Sequence, residues 1–328
     1  MQGRGTARGG GGGDAAHGAS RRRSAAARSP SPYRGGMRGE AMTIRPRRSA
    51  LYMPASNVRA IEKARSLPCD VVVFDLEDAV APEAKAEARA NAVAAVRAGG
   101  FGDRELVIRV NAFGTPWAED DLAAAATSGA DAILAPKVGD AETVLRYHRA
   151  IAAAPATTGF WAMVETTRAI FRLEAIAEAM AARPAGGAFV LGTNDLAKEM
   201  GARLTVERTP FLGMMAMAVA AAKGHGLAIL DGVYNAFDDE AGLVRQCSEA
   251  RGYGFDGKTL IHPRQIEPAN RAFGPDAAEI AWARAAVEGF AAPENAGKGA
   301  ISVGGEMVER LHLDQARAIL AMADDRPS

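Results

Sequence analysis

The stretch VVVFDLEDAV, residues 71–80, begins like a buried strand and ends in a group of acids. Its four consecutive apolar residues are typical of a parallel strand that is covered on both faces. They lead directly into Asp75, Glu77 and Asp78, with no lysine or arginine beside these carboxylates in the sequence. This pattern predicts a strand whose tip reaches a polar, open part of the fold.

Seven further β-rich runs accompany this strand and alternate with alanine-rich helical stretches. The eight predicted strands are residues 49–55, 70–77, 105–111, 131–137, 160–165, 188–194, 226–232 and 255–263. Strands that alternate with helices predict parallel pairing with right-handed crossovers. Eight such units favour an α/β fold of the closed (β/α)₈ TIM-barrel type. An open doubly wound sheet is the main alternative, but no G-x-G-x-x-G motif follows the first strand.

Both ends of the chain are predicted to lie outside the barrel, which we place at residues 45–275. Residues 276–328 start with a predicted helix at residues 279–292 and should form a C-terminal helical lid, packed on this barrel or on a neighbouring subunit. Residues 1–44 are rich in glycine and arginine with little to bury, so we expect disorder. This basic arm is interpreted as a nucleic-acid-binding segment, a transit peptide, or translated sequence upstream of a start at Met42. We expect no nucleic-acid binding.

Composition and charge are those of an ordinary globular protein. Of the 328 residues, 48% are hydrophobic and 24% are charged. Cys69 and Cys247 are too few for a disulfide framework or a structural zinc site, so we expect a cytoplasmic location. No apolar run approaches the roughly 20 residues that cross a bilayer, and no membrane partner is expected. The net charge of zero divides into +6 for residues 1–42, from eight arginines and two acids, and −6 for the remainder.

Polar side chains follow nearly every predicted strand, at the end where parallel barrels carry catalytic residues. They are Ser56, Asn57, Asp75, Glu77, Asp78, Arg109, Asn111, Lys137, Glu165, Asn194, Asp195, Asp231 and His262. Glu165 ends the apolar run FWAMVE, where an unpaired buried carboxylate is costly, so we expect a metal ion or a cationic partner. Asp195 follows the apolar run AFVLGTN, so we expect a metal ion or a cationic partner for this carboxylate as well. A loop role for Lys137, a cap or turn role for Asp231 and a structural role for His262 stay open.

Two carboxylates from different strands, without histidine or cysteine nearby in sequence, suit a hard cation such as Mg²⁺ better than zinc. Arg109 adds a planar fork that fits a carboxylate or enolate oxygen. Together these groups predict a reaction that develops negative charge on oxygen, such as enolate formation in C–C cleavage or aldol-type addition.

Several motifs occur in a familiar order: RRSALYMPASN, DLEDAVAPEAKAEAR, IRVN, APKVGD, MVET, LGTNDLAKEMG, GLAILDGVYN and GFDGKTLIHPRQIEPAN. In order and spacing, over about residues 47–323, the chain resembles the citrate lyase β-subunit-like family of the HpcH/HpaI aldolase group, which includes malyl-CoA and citramalyl-CoA lyases. The resemblance implies a Mg²⁺-dependent TIM barrel, with Mn²⁺ able to substitute. It also implies a CoA thioester as substrate and a keto acid or glyoxylate as the second reactant.

By match of motif, the resemblance implies that Glu165 and Asp195 bind magnesium. It implies that Arg109 grips the substrate oxygens, and that Glu77 and Asp78 hold water at the metal and orient the arginine. Substrate contacts are further implied for Asn194, Tyr52, Asn57, Lys63, His262 and Pro263, although Asn57 replaces an arginine of some relatives.

The C-terminal segment departs from the family pattern at one informative position. Many relatives carry a GKMID-like sequence whose aspartate enters the neighbouring subunit's site from a swapped lid. Here GGEMVERLH places Glu309 at that position. The resemblance therefore implies that Glu309 acts as acid or base in a neighbouring subunit, within a homotrimer or homohexamer.

The leading hypothesis from the sequence is a Mg²⁺-dependent acyl-CoA C–C lyase. It would cleave or form a β-hydroxyacyl-CoA such as malyl-CoA, with acetyl-CoA or propionyl-CoA and glyoxylate or another keto acid as products. The alternatives are a malyl-CoA thioesterase on the same scaffold, the β subunit of citrate lyase, and a nucleic-acid binder that uses the arm. Arg109→Ala is expected to lower turnover by about 10²–10³ and to leave thermal stability almost unchanged.

Overall fold

The computed structural model describes residues 45–324, so the predictions for the arm lie outside the described residues. Eight parallel strands form a closed barrel: β1 (Ser49–Pro54), β2 (Val71–Asp75), β3 (Glu105–Arg109), β4 (Ala132–Ala135), β5 (Gly159–Val164), β6 (Gly187–Leu191), β7 (Ala228–Asp231) and β8 (Gly257–Leu260). The barrel closes where β1 pairs with β8, in register from Ser49 with Lys258. The predicted (β/α)₈ fold is confirmed. The strands end one to three residues before the predicted ends, since the polar tips belong to loops and helix starts.

Ten helices pack around the barrel or continue its strand ends. They are α1 (Val58–Ala64), α2 (Lys85–Ala98), α3 (Ala118–Ala126), α4 (Ala141–Ala150), α5 (Thr167–Ile170), α6 (Leu173–Ala181), α7 (Thr193–Met200), α8 (Leu212–Gly224), α9 (Glu240–Tyr253) and α10 (Ile266–Phe273). Several start at a side-chain cap, in which an oxygen accepts a backbone N–H of the first turn. Asn57, Asp140, Thr166 and Asp239 cap α1, α4, α5 and α9 in this way.

The core has two layers, and the apolar run of β2 contributes to both. Val71 and Val73 belong to the cluster inside the barrel, whereas Val72 and Phe74 pack in the layer between the strands and the helices. This alternation explains why the strand is apolar on both faces. It also places Asp75, the next residue on the Val71 and Val73 side, at the mouth of the barrel interior.

The C-terminal extension differs from the wholly helical segment that the sequence predicted. After α11 (Ala277–Ala291), an antiparallel hairpin of β9 (Ala300–Val303) and β10 (Glu306–Glu309) precedes α12 (Leu311–Asp324). Gly304 and Gly305 both have positive φ, as a tight hairpin turn between two strands requires. The extension has its own small core, which includes Ala286, Ile301 and Val308.

No helix among residues 45–324 combines the length and the apolar character that a membrane crossing needs.

Candidate active site

A cavity of about 300 Å³ lies at the carboxyl ends of the barrel strands. Six of the predicted strand-end and substrate-contact residues line it: Tyr52, Asp75, Asp78, Arg109, Asn194 and Asp195. They come from β1, from β2 and the loop after it, from β3 and from the first turn of α7. Residues that are more than 140 positions apart in sequence therefore share one pocket.

Arg109 is the centre of the first half of the site. Its Nε and Nη2 donate to the two carboxylate oxygens of Asp75, both at 2.6 Å, and Nη1 lies 2.9 Å from Glu77 Oε2. Asp78 is further away, at 3.6 Å, and is largely exposed. The guanidinium also lies over the ring of Tyr52, 4.7 Å from its centroid. The acids at the end of VVVFDLED are thus paired with Arg109, which lies on the neighbouring strand β3.

Lys85, which the sequence analysis did not select, holds the backbone of the segment that carries these acids. Lys85 is buried, and its Nζ donates to the carbonyls of Leu76 and Glu77 and to the side chain of Asn111, at 2.7–2.9 Å. Burial lowers the pKa of Lys85, although nearby carboxylates, Asp75 first, oppose that effect. All three ammonium protons are used, so the loop that carries Glu77 is held in one conformation.

Glu165 and Asp195 form the second half of the site, and Lys137 joins them. Glu165 is completely buried, and its Oε1 accepts the backbone N–H of Lys137 at 2.7 Å. The ammonium of Lys137 lies 2.6 Å from Asp195 Oδ1 and 3.4 Å from Glu165 Oε1. The structure therefore brings together the two residues predicted to bind magnesium, which come from different strand ends. The ammonium of Lys137 contacts both of them.

The same pair has an oxygen without a partner. Glu165 Oε2 is buried, and no described residue donates a hydrogen bond to it. Gly192 keeps the space beside this oxygen open, since a Cβ there would lie 2.9 Å from Oε2 and collide with the Glu165 Cβ. No group of three or more histidine, cysteine or acidic side chains within residues 45–324 is arranged to hold a metal. Mg²⁺ is commonly held by one or two carboxylates, with water and substrate oxygens as the remaining ligands, and this donor set fits it.

Burial makes Glu77 and Glu165 reluctant to ionise, as the raised pKa of each shows. Burial raises the pKa of Glu77 to about 8 against the opposing charge of Arg109, and the charges of Glu165 and Asp78 act in the same direction as burial. Burial likewise raises the pKa of Glu165, against the attraction of Lys137. Burial lowers the pKa of Lys137. The charge of Glu165 and the hydrogen bond to Asp195 together outweigh burial, so the pKa of Lys137 is raised. Burial thus accounts for the raised pKa of the two acids, and the neighbouring carboxylates account for the raised pKa of Lys137.

Four residues predicted to contact substrate do not line the cavity. Asn57 uses its side-chain oxygen to cap α1, and Lys63 is exposed in the last turn of the same helix. His262 accepts the N–H of Arg264 through Nδ1 and stacks on Phe237, and Pro263 starts the following turn. Contacts of these residues with a CoA moiety outside the cavity stay a prediction.

Asn194 and Glu309 have different surroundings. Asn194 lines the cavity and exchanges two amide hydrogen bonds with Asn235, which sequence reasoning missed. Glu309 ends β10, and its backbone N–H donates to His312 Nδ1. It is not among the residues that line the cavity of its own chain. Its role in a neighbouring copy stays a prediction.

Asp231, the strand-end acid whose role the sequence left open, belongs to a different cluster. It is fully buried and accepts hydrogen bonds from Arg208 at 2.7 and 2.8 Å and from Lys258 at 2.6 Å. Burial alone would raise the pKa of Asp231, but these two cations lower it. Arg208 holds this position in a left-handed backbone conformation, with φ of 49°. A structural role follows for Asp231.

The family model for HpcH/HpaI aldolase and citrate lyase matches residues 48–263 of the chain. The chain belongs to this family. Among its relatives are a (3S)-malyl-CoA thioesterase of Cereibacter sphaeroides, 44% identical over 279 residues, and citrate lyase subunit beta of Escherichia coli, 34% identical over 287 residues. The alignments cover 85% of this chain, with 95% and 94% of those proteins. The L-malyl-CoA/beta-methylmalyl-CoA lyase of C. sphaeroides is 33% identical over 306 residues, which is 85% of this chain and 95% of that protein.

Solved structures of the family agree with the fold. The CitE protein of Mycobacterium tuberculosis, in complex with magnesium, acetoacetate and coenzyme A, has a TM-score of 0.67 and 29% identity, and covers 85% of this chain and 98% of that chain. The resemblance to the citrate lyase β-like and HpcH/HpaI proteins is thus confirmed. Structural neighbours in this family bind magnesium, CoA and small keto acids.

Proposed function

We propose that this chain is a Mg²⁺-dependent enzyme that hydrolyses the thioester of a β-hydroxyacyl-CoA of the malyl-CoA type. The observation that carries the proposal is the arrangement of Glu165, with its unpartnered oxygen, and Asp195 in the same site as Arg109. The choice of hydrolysis rests on the 44% identity to a (3S)-malyl-CoA thioesterase, compared with 33–34% for the two lyases.

Glu165 and Asp195 would hold the cation, which supplies a positive charge that polarises substrate oxygens when it is bound. Arg109 has five N–H donors, of which Asp75 engages two and Glu77 faces one. Nη1 also donates to Met163 Sδ at 3.6 Å, so one N–H of Nη2 remains for a substrate oxygen that gains negative charge. Because Asp75 fixes the fork in a buried setting, this donor needs little reorganisation during the reaction.

Proton transfer in the proposed hydrolysis needs a carboxylate that reaches the attacking water. We propose Glu309 of a neighbouring copy as the base that takes a proton from the attacking water. This role requires the oligomer, a homotrimer or homohexamer, that the family resemblance implies. Lys63, Asn57, His262 and Pro263 are proposed to contact the CoA moiety where it leaves the cavity.

A C–C lyase is the second candidate, because the chain covers nearly the whole length of two lyase relatives. In that reaction Glu309 of the neighbouring copy would take the proton of the malyl hydroxyl as the C–C bond breaks. Glyoxylate would leave, Arg109 would stabilise the enolate oxygen of acetyl-CoA, and Glu309 would return the proton to the enolate carbon. A citryl thioester on a carrier protein is the corresponding substrate for a citrate lyase β subunit.

Incubation of the purified protein with (3S)-malyl-CoA and Mg²⁺ separates these reactions. Hydrolysis releases free thiol and malate in equal amounts without glyoxylate. C–C cleavage releases glyoxylate and acetyl-CoA without free thiol. Formation of neither product pair would contradict the proposal for this substrate class.

A further inference from the structure

Lys137 contacts both carboxylates of the proposed cation site, each through a different group. Its backbone N–H donates to Glu165 Oε1 at 2.7 Å, and its ammonium lies 2.6 Å from Asp195 Oδ1. The side chain is about one-third exposed, at 35%, whereas the Glu165 side chain is 0% exposed. One end of this residue is thus fixed in the site, and the other end has access to solvent.

The backbone conformation of Lys137 makes this double contact possible. Its φ is 53°, in the left-handed region that residues other than glycine adopt only at a cost. Within residues 45–324, Arg208 is the other non-glycine residue with positive φ, and it serves the buried cluster around Asp231. Lys137 is a strained residue beside Asp195, which lines the cavity, and such a residue persists where the surroundings determine the conformation.

The ammonium and a divalent cation require the same oxygens. Lys137 Nζ is bonded to Asp195 Oδ1 and lies 3.4 Å from Glu165 Oε1, so a cation held by both carboxylates would stand within a few ångströms of it. Two positive charges at such separation repel strongly in a partly buried site. The flexible, partly exposed stem allows the ammonium to move away, whereas the backbone N–H has no reason to move.

We propose that Lys137 exchanges with the divalent cation. Without the cation, its ammonium neutralises Asp195 and Glu165 and keeps the site assembled. When the cation binds, the ammonium withdraws, and the backbone N–H continues to hold Glu165 Oε1 so that Oε2 faces the cation. Lys137 is therefore a positioning residue that sets the affinity for the cation. This inference rests on the proposed function in one respect, namely that Glu165 and Asp195 bind the cation.

Mn²⁺ binding to the metal-free protein, followed by the electron paramagnetic resonance signal of free Mn²⁺, tests the exchange without reliance on turnover. Lys137→Met removes the competing charge and keeps the backbone N–H. We expect Mn²⁺ to bind about tenfold more tightly, which corresponds to about 1.4 kcal/mol. Lys198→Met is the matched control, because Lys198 is exposed in the last turn of α7, the helix that carries Asp195. It should change the affinity less than twofold.

Thermal unfolding provides the second readout. Without metal, Lys137→Met should melt at a lower temperature than the wild type, since Glu165 and Asp195 lose their neutralising charge. Saturating Mn²⁺ should close or reverse this gap. Lys137→Gln repeats both measurements with a polar side chain, should the methionine variant fold poorly.

Two results would overturn the exchange and are distinguishable from each other. Unchanged or weaker Mn²⁺ affinity in the Lys137 variants, with normal binding by the wild type, would mean that the ammonium stays beside the bound cation. Absence of Mn²⁺ binding by the wild type would remove the cation site itself, and the proposed function would fail with it.

Discussion

Two ionic clusters lie at the carboxyl ends of the barrel strands. One faces the helix layer and the other faces the barrel interior, and they differ in charge balance. The outer cluster consists of Asp231, Arg208, Lys258 and Glu249, with two acids and two cations. The inner cluster consists of Asp75, Glu77, Asp78, Glu165 and Asp195 with Arg109, Lys137 and Lys85, so five carboxyl groups meet three cations and an excess of two carboxyls remains.

Strand alternation separates the two clusters. Ile229 packs in the layer between the strands and the helices, and Asp231, two residues later, meets Gln246 and its neighbours on α9 through Lys258. Val71 and Val73 pack inside the barrel, and Asp75 follows them to the cavity. Burial and position at a strand end are therefore shared by structural and functional acids. The functional acids are distinguished by their position on the inward face of the barrel and by their excess over the neighbouring cations.

The largest effect is expected in the outer cluster. Asp231→Asn leaves Arg208 and Lys258 buried without their shared carboxylate, and breaking a buried ion pair costs about 3–5 kcal/mol of unfolding free energy. Denaturant unfolding at neutral pH measures it. Asp238→Asn removes an acid from the exposed ion pair with Arg264 and should cost less than about 1 kcal/mol. Equal losses of unfolding free energy in the two variants would contradict the structural role of the Asp231 cluster.

The contribution of the Asp231 cluster to stability also depends on pH in the acid range. Because the folded-state pKa of Asp231 lies below its ordinary value of 3.8, its contribution to stability is complete above that pH. It is lost as the pH falls from 3.8 through the lower folded-state value, and Asp231→Asn should remove this part of the acid unfolding curve.

In the inner cluster, Arg109→Lys should lower turnover by about 10²–10³, or about 2.7–4 kcal/mol in the barrier, because a point charge replaces the fixed fork. Arg47→Lys is the control, since Arg47 forms a similar bidentate ion pair with Glu105 at the start of β3, away from the cavity. It should leave turnover unchanged. A comparable loss in both variants would mean that the effect is structural.

The expectation that Arg109→Ala leaves thermal stability almost unchanged needs revision. The structure pairs Arg109 with Asp75 through two buried hydrogen bonds, so the alanine variant would leave Asp75 uncompensated. Arg109→Ala is therefore expected to lose stability as well as turnover, which makes the lysine variant the better probe of catalysis.

The sequence predicted the fold and most of the inner cluster because local patterns determine both. Parallel buried strands produce apolar runs, and their polar tips converge wherever the barrel closes. Pairings between distant side chains leave no such pattern. Nothing in PEAKAEAR indicates that Lys85 donates to the carbonyls of Leu76 and Glu77, and nothing in APKVGD indicates the positive φ of Lys137. Asp231 could not be assigned from sequence, because its partner Arg208 comes from a loop between α7 and α8.

A smaller effect should appear in the pH dependence of the inner cluster. Burial raises the pKa of Glu77 from 4.5 to about 8, so the folded metal-free protein keeps a proton that the unfolded chain releases. Stability should therefore decrease as the pH rises from 4.5 to about 8. Glu77→Gln should flatten this slope in urea unfolding. Glu83→Gln, at an exposed position in the same segment, should retain it; an unchanged slope in Glu77→Gln would contradict the assignment.

The smallest effect is expected outside both clusters. Lys63 is exposed on α1, and we propose that it contacts a phosphate of CoA. Lys63→Met should raise KM for the CoA ester by up to about fivefold with kcat unchanged, the range of an exposed ion pair. An ester of dephospho-CoA should reduce this difference if the 3′-phosphate is the contact. A fall in kcat would place Lys63 in the inner site instead.

The central claim is that Glu165 and Asp195 jointly hold a divalent cation that turnover requires. The most direct test is the turnover of (3S)-malyl-CoA by protein that has been stripped with a chelator, before and after Mg²⁺ is restored. We predict a loss of at least ~10²-fold on stripping and full recovery with Mg²⁺. Equal turnover in the stripped and the restored protein would contradict the claim.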